Sequence, residues 1–125
     1  MRLLLDTHTL LWWLEDPALL AGPARAAVAS ESSLVFVSAA SAWEIGIKQA
    51  RGKLRCPDDL EEVLTVNRFQ SLPVTVRHAL LAGGLPPHHA DPFDRMLAAQ
   101  AKAEGLTLVT RDPALQHYGI ATLAA

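Results

Sequence analysis

The chain has little cysteine: Cys56 is the only one among 125 residues. An intramolecular disulfide and a zinc site built on several cysteines are therefore excluded, and a reducing, cytoplasmic setting is expected. An apolar run of membrane-spanning length is also missing, so no membrane contact is expected. Asp6 and His8 interrupt the apolar N-terminus, and no small-residue cleavage site follows, so a secretory signal is not expected either.

An excess of charge of one sign is absent as well. Lysine and arginine number 11 and aspartate and glutamate 13, which gives a formal net charge of -2 with neutral histidines. Proteins that hold nucleic acid by bulk charge usually carry a basic excess. Any contact with nucleic acid would therefore need local basic residues, or metal ions that screen the carboxylates. A hydrophobic fraction of 50% indicates a globular chain, and one domain over residues 1–125 is the simplest division.

The pattern of apolar residues predicts an α/β fold. Short and mostly unbroken apolar runs, typical of strands covered on both faces, lie at residues 2–6, 33–38, 71–75, 106–110 and 119–123. Pro73 suits only an edge strand. Helical spacing lies between these runs, at residues 8–15, 23–30, 41–51, 58–68, 76–82 and 92–104. The alternation predicts a parallel five-stranded sheet with right-handed crossovers.

Four acids are expected at one edge of this sheet. Asp6 ends the first strand, and Glu44 lies in the opening turn of the helix after the second. Asp112 follows the fourth strand, and Asp94 opens a helix that runs back toward the start of that strand. Ligands of such sheets bind outside the carboxyl ends of the strands. Carboxylates gathered there repel and raise one another's pKa unless a cation lies among them.

These acids suggest a divalent-metal site. Carboxylate oxygens without cysteine suit Mg²⁺ or Mn²⁺, which activate water and hold phosphate oxygens. Ordinary roles remain open for each: Asp6 and Asp112 as helix caps, and Glu44 as the partner of Lys48 one turn later. Asp91 stands directly before Pro92, the usual position of a cap, which leaves Asp94 for the site, with a ligand role for Asp91 as the alternative.

Four stretches carry these acids: LLLDTHTLLWWL, SAASAWEIGIKQARGKL, HHADPFDRMLAAQA and GLTLVTRDPALQHYG. In order and spacing they resemble the PIN-domain nucleases, and more closely the VapC-like toxins of prokaryotic toxin–antitoxin pairs. The resemblance spans nearly the whole chain and implies a three-layer α/β/α PIN-like domain. It also implies a metal-dependent endoribonuclease whose catalytic and metal-binding residues are Asp6, Glu44, Asp94 and Asp112. A homodimer, RNA as substrate and silencing by a cognate antitoxin belong to the same expectation.

Six further residues are candidate RNA contacts. Lys48 and Arg51 follow Glu44 at helical spacing, and Lys53 extends this basic segment, although a solvated helix face is the alternative. The other three adjoin predicted ligands; they are Thr7, Arg95 and Arg111.

The histidines and tryptophans receive mostly structural interpretations. No histidine pair has the helical His-x-x-x-His spacing, so a histidine metal site is not favoured, and His89 is expected to help close the turn before Asp91. Trp12 and Trp13 cannot share one helix face, which predicts one against the sheet and one facing a partner. Trp43 is expected to pack in the core.

Two other functions compete with the nuclease. A catalytically inactive PIN-fold domain for protein interaction or regulation would use the same acids only as caps and ion pairs. A small-molecule phosphatase of the haloacid-dehalogenase type would need a second acid two residues after Asp6, where this chain has His8.

Overall fold

The computed structural model describes residues 1–57 and 59–125. These residues form the strands β1 (Arg2–Leu5), β2 (Leu34–Ser38), β3 (Gln70–Leu72), β4 (Thr107–Thr110) and β5 (Thr122–Ala124). They also form the helices α1 (Thr7–Glu15), α2 (Gly22–Ala29), α3 (Ala39–Ala50), α4 (Leu60–Val66), α5 (Val76–Gly84) and α6 (Pro92–Glu104). Two short 3₁₀ helices cover Pro17–Leu19 and Pro113–Tyr118.

The predicted elements are all present, with shifts at their ends. The helix predicted from residue 58 begins at Leu60, and Asp58 itself lies outside the described residues. Each aspartate that precedes a proline caps a helix through its side chain: Asp16, Asp91 and Asp112. Two of these caps start the 3₁₀ helices, which lack the length to leave a helical hydrophobic pattern in the sequence.

The five strands form one parallel sheet in the order β3-β2-β1-β4-β5, which confirms the predicted fold class. The central strand β1 pairs with β2 and β4, so that Leu3 lies opposite Val35 on one side and Thr107 on the other. β3 lies at an edge, as the proline that follows it predicted.

The side chains of β1 explain the three layers. Successive side chains of a strand point to opposite faces, so Leu3 and Leu5 enter one core and Leu4 the other. The first core also contains Leu10 and Val28 from α1 and α2, whereas the second contains Leu97 from α6. Because Leu4 is fully buried, its replacement by alanine would cost about 2–5 kcal/mol of folding free energy.

Helices begin directly where strands end, at the carboxyl edge of the sheet. Asp6 separates β1 from α1, and its backbone N–H donates to the carbonyl of Val109 near the end of β4, at 3.1 Å. Ser38 ends β2 and caps α3. Among the described residues, no helix has both the length and the apolar character needed to cross a membrane.

Candidate active site

The structure brings the four predicted acids to the carboxyl edge of the sheet. Asp6, Asp94 and Asp112 line one cavity of about 340 Å³. Asp6 is fixed as the cap of α1, because its Oδ1 accepts the backbone N–H of Thr9 at 2.8 Å. Glu44 is only 3% exposed and does not line the cavity, although its charge acts on Asp94.

The cap at the start of α6 determines the position of the Asp94 side chain. Asp91 Oδ1 accepts the backbone N–H groups of Phe93 and Asp94, at 2.8 and 3.2 Å, and so caps the helix. This confirms the interpretation of Asp91 as a cap. The side chain of Asp94 is left in the first turn, facing the cavity.

Glu44 is held by two partners. The hydroxyl of Thr7 donates to its Oε1, and the ammonium of Lys48 donates to its Oε2, each at 2.6 Å. The hydrogen bond with Glu44 raises the pKa of Lys48 above its ordinary value. Thr7 follows Asp6 directly, so its hydroxyl ties the start of α1 to α3. Two of the predicted RNA contacts therefore hold an acid of the site.

His89 belongs to the site although the sequence analysis gave it only a turn-closing role. Its Nε2 lies 2.5 Å from Asp112 Oδ2 and 3.2 Å from Asp94 Oδ2. One atom of each of these residues lies within 4.8 Å of the other two. The ring also closes the turn as predicted, because Nδ1 accepts the N–H of Asp91 at 3.0 Å. The position of His89 two residues before Asp91 is the only local signal in the sequence.

Burial and nearby charges shift the pKa values of two acids of the site in opposite directions. Burial first, and then the charge of Asp91, raise the pKa of Asp94 to about 7, with further increases from Asp6 and Glu44; His89 opposes them. Desolvation also raises the pKa of Asp112. The backbone N–H of Ala114 and the imidazole of His89 outweigh it and hold that pKa below its usual value.

This arrangement fits a hard divalent cation. The donors are carboxylate oxygens, the ligands that Mg²⁺ and Mn²⁺ prefer. The raised pKa of Asp94 reports negative charge that a cation would compensate. Asp6, Asp94 and Asp112 have access to the shared cavity. Glu44 would join them by exchanging one of its present partners, and its role as a ligand stays a prediction.

The remaining candidate RNA contacts differ in whether their side chains already make hydrogen bonds within the protein. Arg111 donates to the carbonyls of Leu19 and Ala125, and its guanidinium lies 3.8 Å from the centre of the Trp12 ring. Arg51 and Lys53 are exposed beyond the end of α3. Arg95 donates to four backbone carbonyls, those of Ala82, Leu85, Pro86 and His89.

The prediction that Trp43 packs in the core is wrong. Its side chain is 67% exposed and meets Phe93 edge to face, with ring centres 5.5 Å apart. The buried face of α3 is taken by Ser41, Glu44 and Ile45, which turns position 43 outward. In α1, Trp12 and Trp13 both pack against the first core; Trp13 also donates to Asn67, and Trp12 also lines the acid cavity.

Known proteins resemble this chain along nearly its whole length. The profile of the PIN domain matches residues 3–121. Ribonuclease VapC22 of Mycobacterium tuberculosis is 30% identical over 118 residues, which are 92% of this chain and 90% of the relative. The solved structure of VapBC2 from Rickettsia felis, bound to a DNA fragment from their promoter, covers 98% of both chains with a TM-score of 0.72 and 14% identity. DNA-bound VapBC from Salmonella typhimurium covers 98% of this chain and 97% of that one, with a TM-score of 0.69 and 18% identity.

Proposed function

This chain belongs to the PIN domain family, and from that premise we propose that it is a metal-dependent endoribonuclease, the toxin of a toxin–antitoxin pair. The proposal treats residues 1–125 as one nuclease domain that acts on RNA in the cytoplasm. The observation that carries it is the meeting, in one cavity, of acids from separate parts of the chain, where burial and neighbouring acids raise the pKa of Asp94. The similarity to a protein named as a ribonuclease supports the same activity.

The proposed ligands of Mg²⁺ or Mn²⁺ are Asp6, Glu44, Asp94 and Asp112. Such an ion, when bound, activates water for attack on a phosphodiester and neutralises charge on its oxygens. The chain's own contribution is preorganisation. Asp6 is fixed as a cap, Lys48 holds Glu44 in an ion pair, and α6 presents Asp94 from its first turn. Groups held in place before the reaction need no rearrangement when charge develops.

The nuclease activity is tested with purified protein, single-stranded RNA and Mn²⁺. Asp6→Asn is expected to fold and to lose cleavage, because the amide keeps an oxygen for the Thr9 N–H and removes the charge. The products are expected to carry a 5′-phosphate and a 3′-hydroxyl. Cleavage by Asp6→Asn at the wild-type rate would refute the proposal.

The two competing functions give different results. An inactive PIN-fold domain would melt at the same temperature with and without Mn²⁺, whereas a metal enzyme is stabilised increasingly as the free ion concentration rises, with the logarithm of that concentration above its dissociation constant. A phosphatase would hydrolyse a small phosphoester and leave RNA intact.

For the antitoxin we propose a site beside the acids. A second cavity of about 520 Å³ runs along α1, lined by Leu11, Leu14 and Cys56, and it shares His8 and Trp12 with the acid cavity. A largely apolar antitoxin segment lying there would reach the entrance to the acids. Leu14→Arg is expected to weaken binding of the co-expressed antitoxin in a pull-down and to leave RNA cleavage by the free toxin unchanged. Unchanged capture would exclude this cavity.

The proposed homodimer has a candidate surface next to the site. The exposed residues of α3, a helix described throughout, include no charged side chain; they are Ala39, Ala42, Trp43, Gly46, Gln49 and Ala50. Beside Trp43 lies an apolar hollow of about 460 Å³, lined also by Val74, Phe93 and Met96. An uncharged surface offers phosphates no partner, whereas a projecting ring beside an apolar hollow suits a two-fold contact between identical chains.

The dimer surface is tested by replacing Trp43 with lysine and measuring the mass in solution by light scattering. The wild type is expected to be a dimer and Trp43→Lys a monomer. Val66→Lys is the matched control, because Val66 is exposed to a similar extent and lies on α4, outside the residues that line the hollow. A dimer that survives Trp43→Lys would place the contact elsewhere.

A further inference from the structure

We infer that His89 is a positioning residue of the metal site: it donates a hydrogen bond that fixes Asp112 and Asp94 for the cation and is not itself a ligand. The inference rests on the proposed metal site. It starts from the position of the ring, between two of the proposed ligands and within 3.2 Å of both.

The hydrogen bonds of the ring decide where its proton lies. A backbone N–H only donates, and that of Asp91 points at His89 Nδ1 at 3.0 Å. Nδ1 is therefore an acceptor without a proton, and the proton of the imidazole is on Nε2. This N–H faces Asp112 Oδ2 at 2.5 Å and Asp94 Oδ2 at 3.2 Å. The ring thus presents a donor, not a lone pair, to the two carboxylates.

The same bonds argue against metal ligation by His89. A cation on Nε2 would require the proton on Nδ1, which would then face the N–H of Asp91. Two donors would oppose each other in a partly buried turn, and an unsatisfied group of this kind costs about 1–3 kcal/mol. Ligation through Nδ1 is blocked by the same N–H. His89 is therefore suited to act through the carboxylates.

Both the backbone N–H and the backbone carbonyl of His89 make hydrogen bonds. Its N–H donates to the hydroxyl oxygen of the buried Tyr118 at 2.9 Å, and its carbonyl accepts from Arg95 at 3.3 Å. Tyr118 belongs to the 3₁₀ helix that Asp112 caps, whereas Arg95 belongs to α6. The residue therefore joins the two segments that carry Asp94 and Asp112.

Asp112 is the acid of the site whose position depends most on a hydrogen bond from His89. It lies between β4 and the 3₁₀ helix, and 36% of its side chain is exposed. One oxygen accepts the N–H of Ala114 and the other faces His89 Nε2. Without His89 the second oxygen would have no partner among the described residues. Removing a hydrogen-bonding partner of a metal-binding side chain typically costs 10- to 100-fold in metal affinity.

Two substitutions separate the donor from the rest of the ring. The amide nitrogen of glutamine reaches the position of Nε2, so His89→Gln keeps a donor toward Asp112. Asparagine is shorter and reaches only the position of Nδ1, so His89→Asn keeps an acceptor for Asp91 and loses the donor. We expect His89→Asn to weaken Mn²⁺ binding about 10- to 100-fold and His89→Gln to remain close to the wild type. Calorimetric titration of Mn²⁺ at fixed pH measures this without any cleavage assay.

His78→Asn is the matched control. His78 also accepts a backbone N–H at Nδ1 and faces a carboxylate, Glu104, with Nε2. Glu104 lies ten residues after Asp94 in α6, about 15 Å along the helix. His78→Asn is therefore expected to leave the Mn²⁺ affinity unchanged. Tyr118→Phe, which removes the acceptor of the His89 N–H, is expected to weaken Mn²⁺ binding less than His89→Asn and replaces that variant if it does not fold.

The outcomes are distinguishable. A wild-type protein that binds no Mn²⁺ refutes the metal site and this inference together. Wild-type binding with unchanged affinity in His89→Asn refutes only the role of His89. Equal losses in His89→Gln and His89→Asn, together with a wild-type preference for Zn²⁺ over Mn²⁺, would make His89 a ligand and overturn the inference.

Discussion

Two histidines of this chain form the same local arrangement in different surroundings. His78 accepts the N–H of Thr75 at Nδ1, at 3.1 Å, and faces Glu104 with Nε2 at 2.8 Å. His89 accepts the N–H of Asp91 at Nδ1, at 3.0 Å, and faces Asp112 with Nε2 at 2.5 Å. Each ring therefore links the start of a helix to a carboxylate from another part of the chain.

The two histidines differ in the residues that surround them. His78 is buried between α5 and α6 and faces one carboxylate, on the exposed Glu104. His89 lies between two carboxylates, and burial together with neighbouring acids raises the pKa of one of them, Asp94, to about 7. The first arrangement satisfies a buried polar group and joins two helices. The second places one ring between two carboxylates, which suits the proposed metal site.

The largest expected difference between the two regions is in catalysis. Asp112→Asn is expected to lower the rate of RNA cleavage about 100-fold or more, because the loss of a charged ligand removes several kcal/mol of transition-state stabilisation. Glu104→Gln, the same change at the partner of His78, is expected to leave the rate unchanged. Initial rates with Mn²⁺, on variants whose circular dichroism matches the wild type, measure both. Equal cleavage rates for the two variants would show that the carboxylate beside His89 is no more important for catalysis than the one beside His78.

For folding stability, we expect the region of His78 to show the larger effect and the region of His89 the smaller one. His78→Ala removes a fully buried ring and leaves the Thr75 N–H without that partner, and is expected to cost about 2–3 kcal/mol of unfolding free energy. His89→Ala is expected to cost about 1 kcal/mol, because its site is open to water and its loss removes fewer buried contacts. Urea unfolding in the presence of a chelator measures both values. A larger cost at His89 would contradict this account of the two rings.

The pH dependence of the metal-free protein tests the charge at the acid rim. The pKa of Asp94 is about 7 in the folded protein and 3.8 as its ordinary value. Between these values the unfolded chain has released the proton and the folded chain keeps it, so unfolding releases a proton and stability falls as pH rises. Asp94→Asn is expected to reduce this fall, and to melt higher than the wild type at pH 7.5 in a chelator. Parallel melting profiles for the two proteins from pH 4 to pH 7.5 would contradict it.

The smallest expected effect concerns RNA binding. Arg51 is exposed at the end of α3, the helix that carries Glu44, whereas Lys102 is exposed near Glu104, the partner of His78. Arg51→Ala is expected to weaken RNA binding and to reduce the salt dependence of the affinity by about one unit of slope, the effect of one phosphate contact. Lys102→Ala is expected to change neither. Fluorescence anisotropy at several salt concentrations, in Ca²⁺ to prevent cleavage, gives both slopes.

Local signals accounted for most of the fold. The capping roles of Asp16, Asp91 and Asp112 follow from an aspartate before a proline, and cap and helix are neighbours in sequence. The edge position of β3 followed from Pro73. The boundaries shifted where no such signal exists. Trp43 was misjudged because hydrophobicity alone does not tell which face of α3 meets the core.

The convergence of Asp6, Glu44, Asp94 and Asp112 could be predicted because a parallel sheet with right-handed crossovers sends every strand end to the same edge. The contact of His89 with Asp112 could not be predicted from the sequence. It spans 23 residues and depends on the angle at which a loop meets α6, for which the sequence has no periodic pattern.

The order of apolar runs, helix caps and acids in the sequence determined the fold class and the edge at which the acids meet, because hydrophobic periodicity and chain direction are local properties. Only the tertiary structure decided which oxygen of each acid is free, which histidine lies among them and which tryptophan meets solvent. Those depend on distances of a few ångströms between segments far apart in the chain, and packing alone sets such distances.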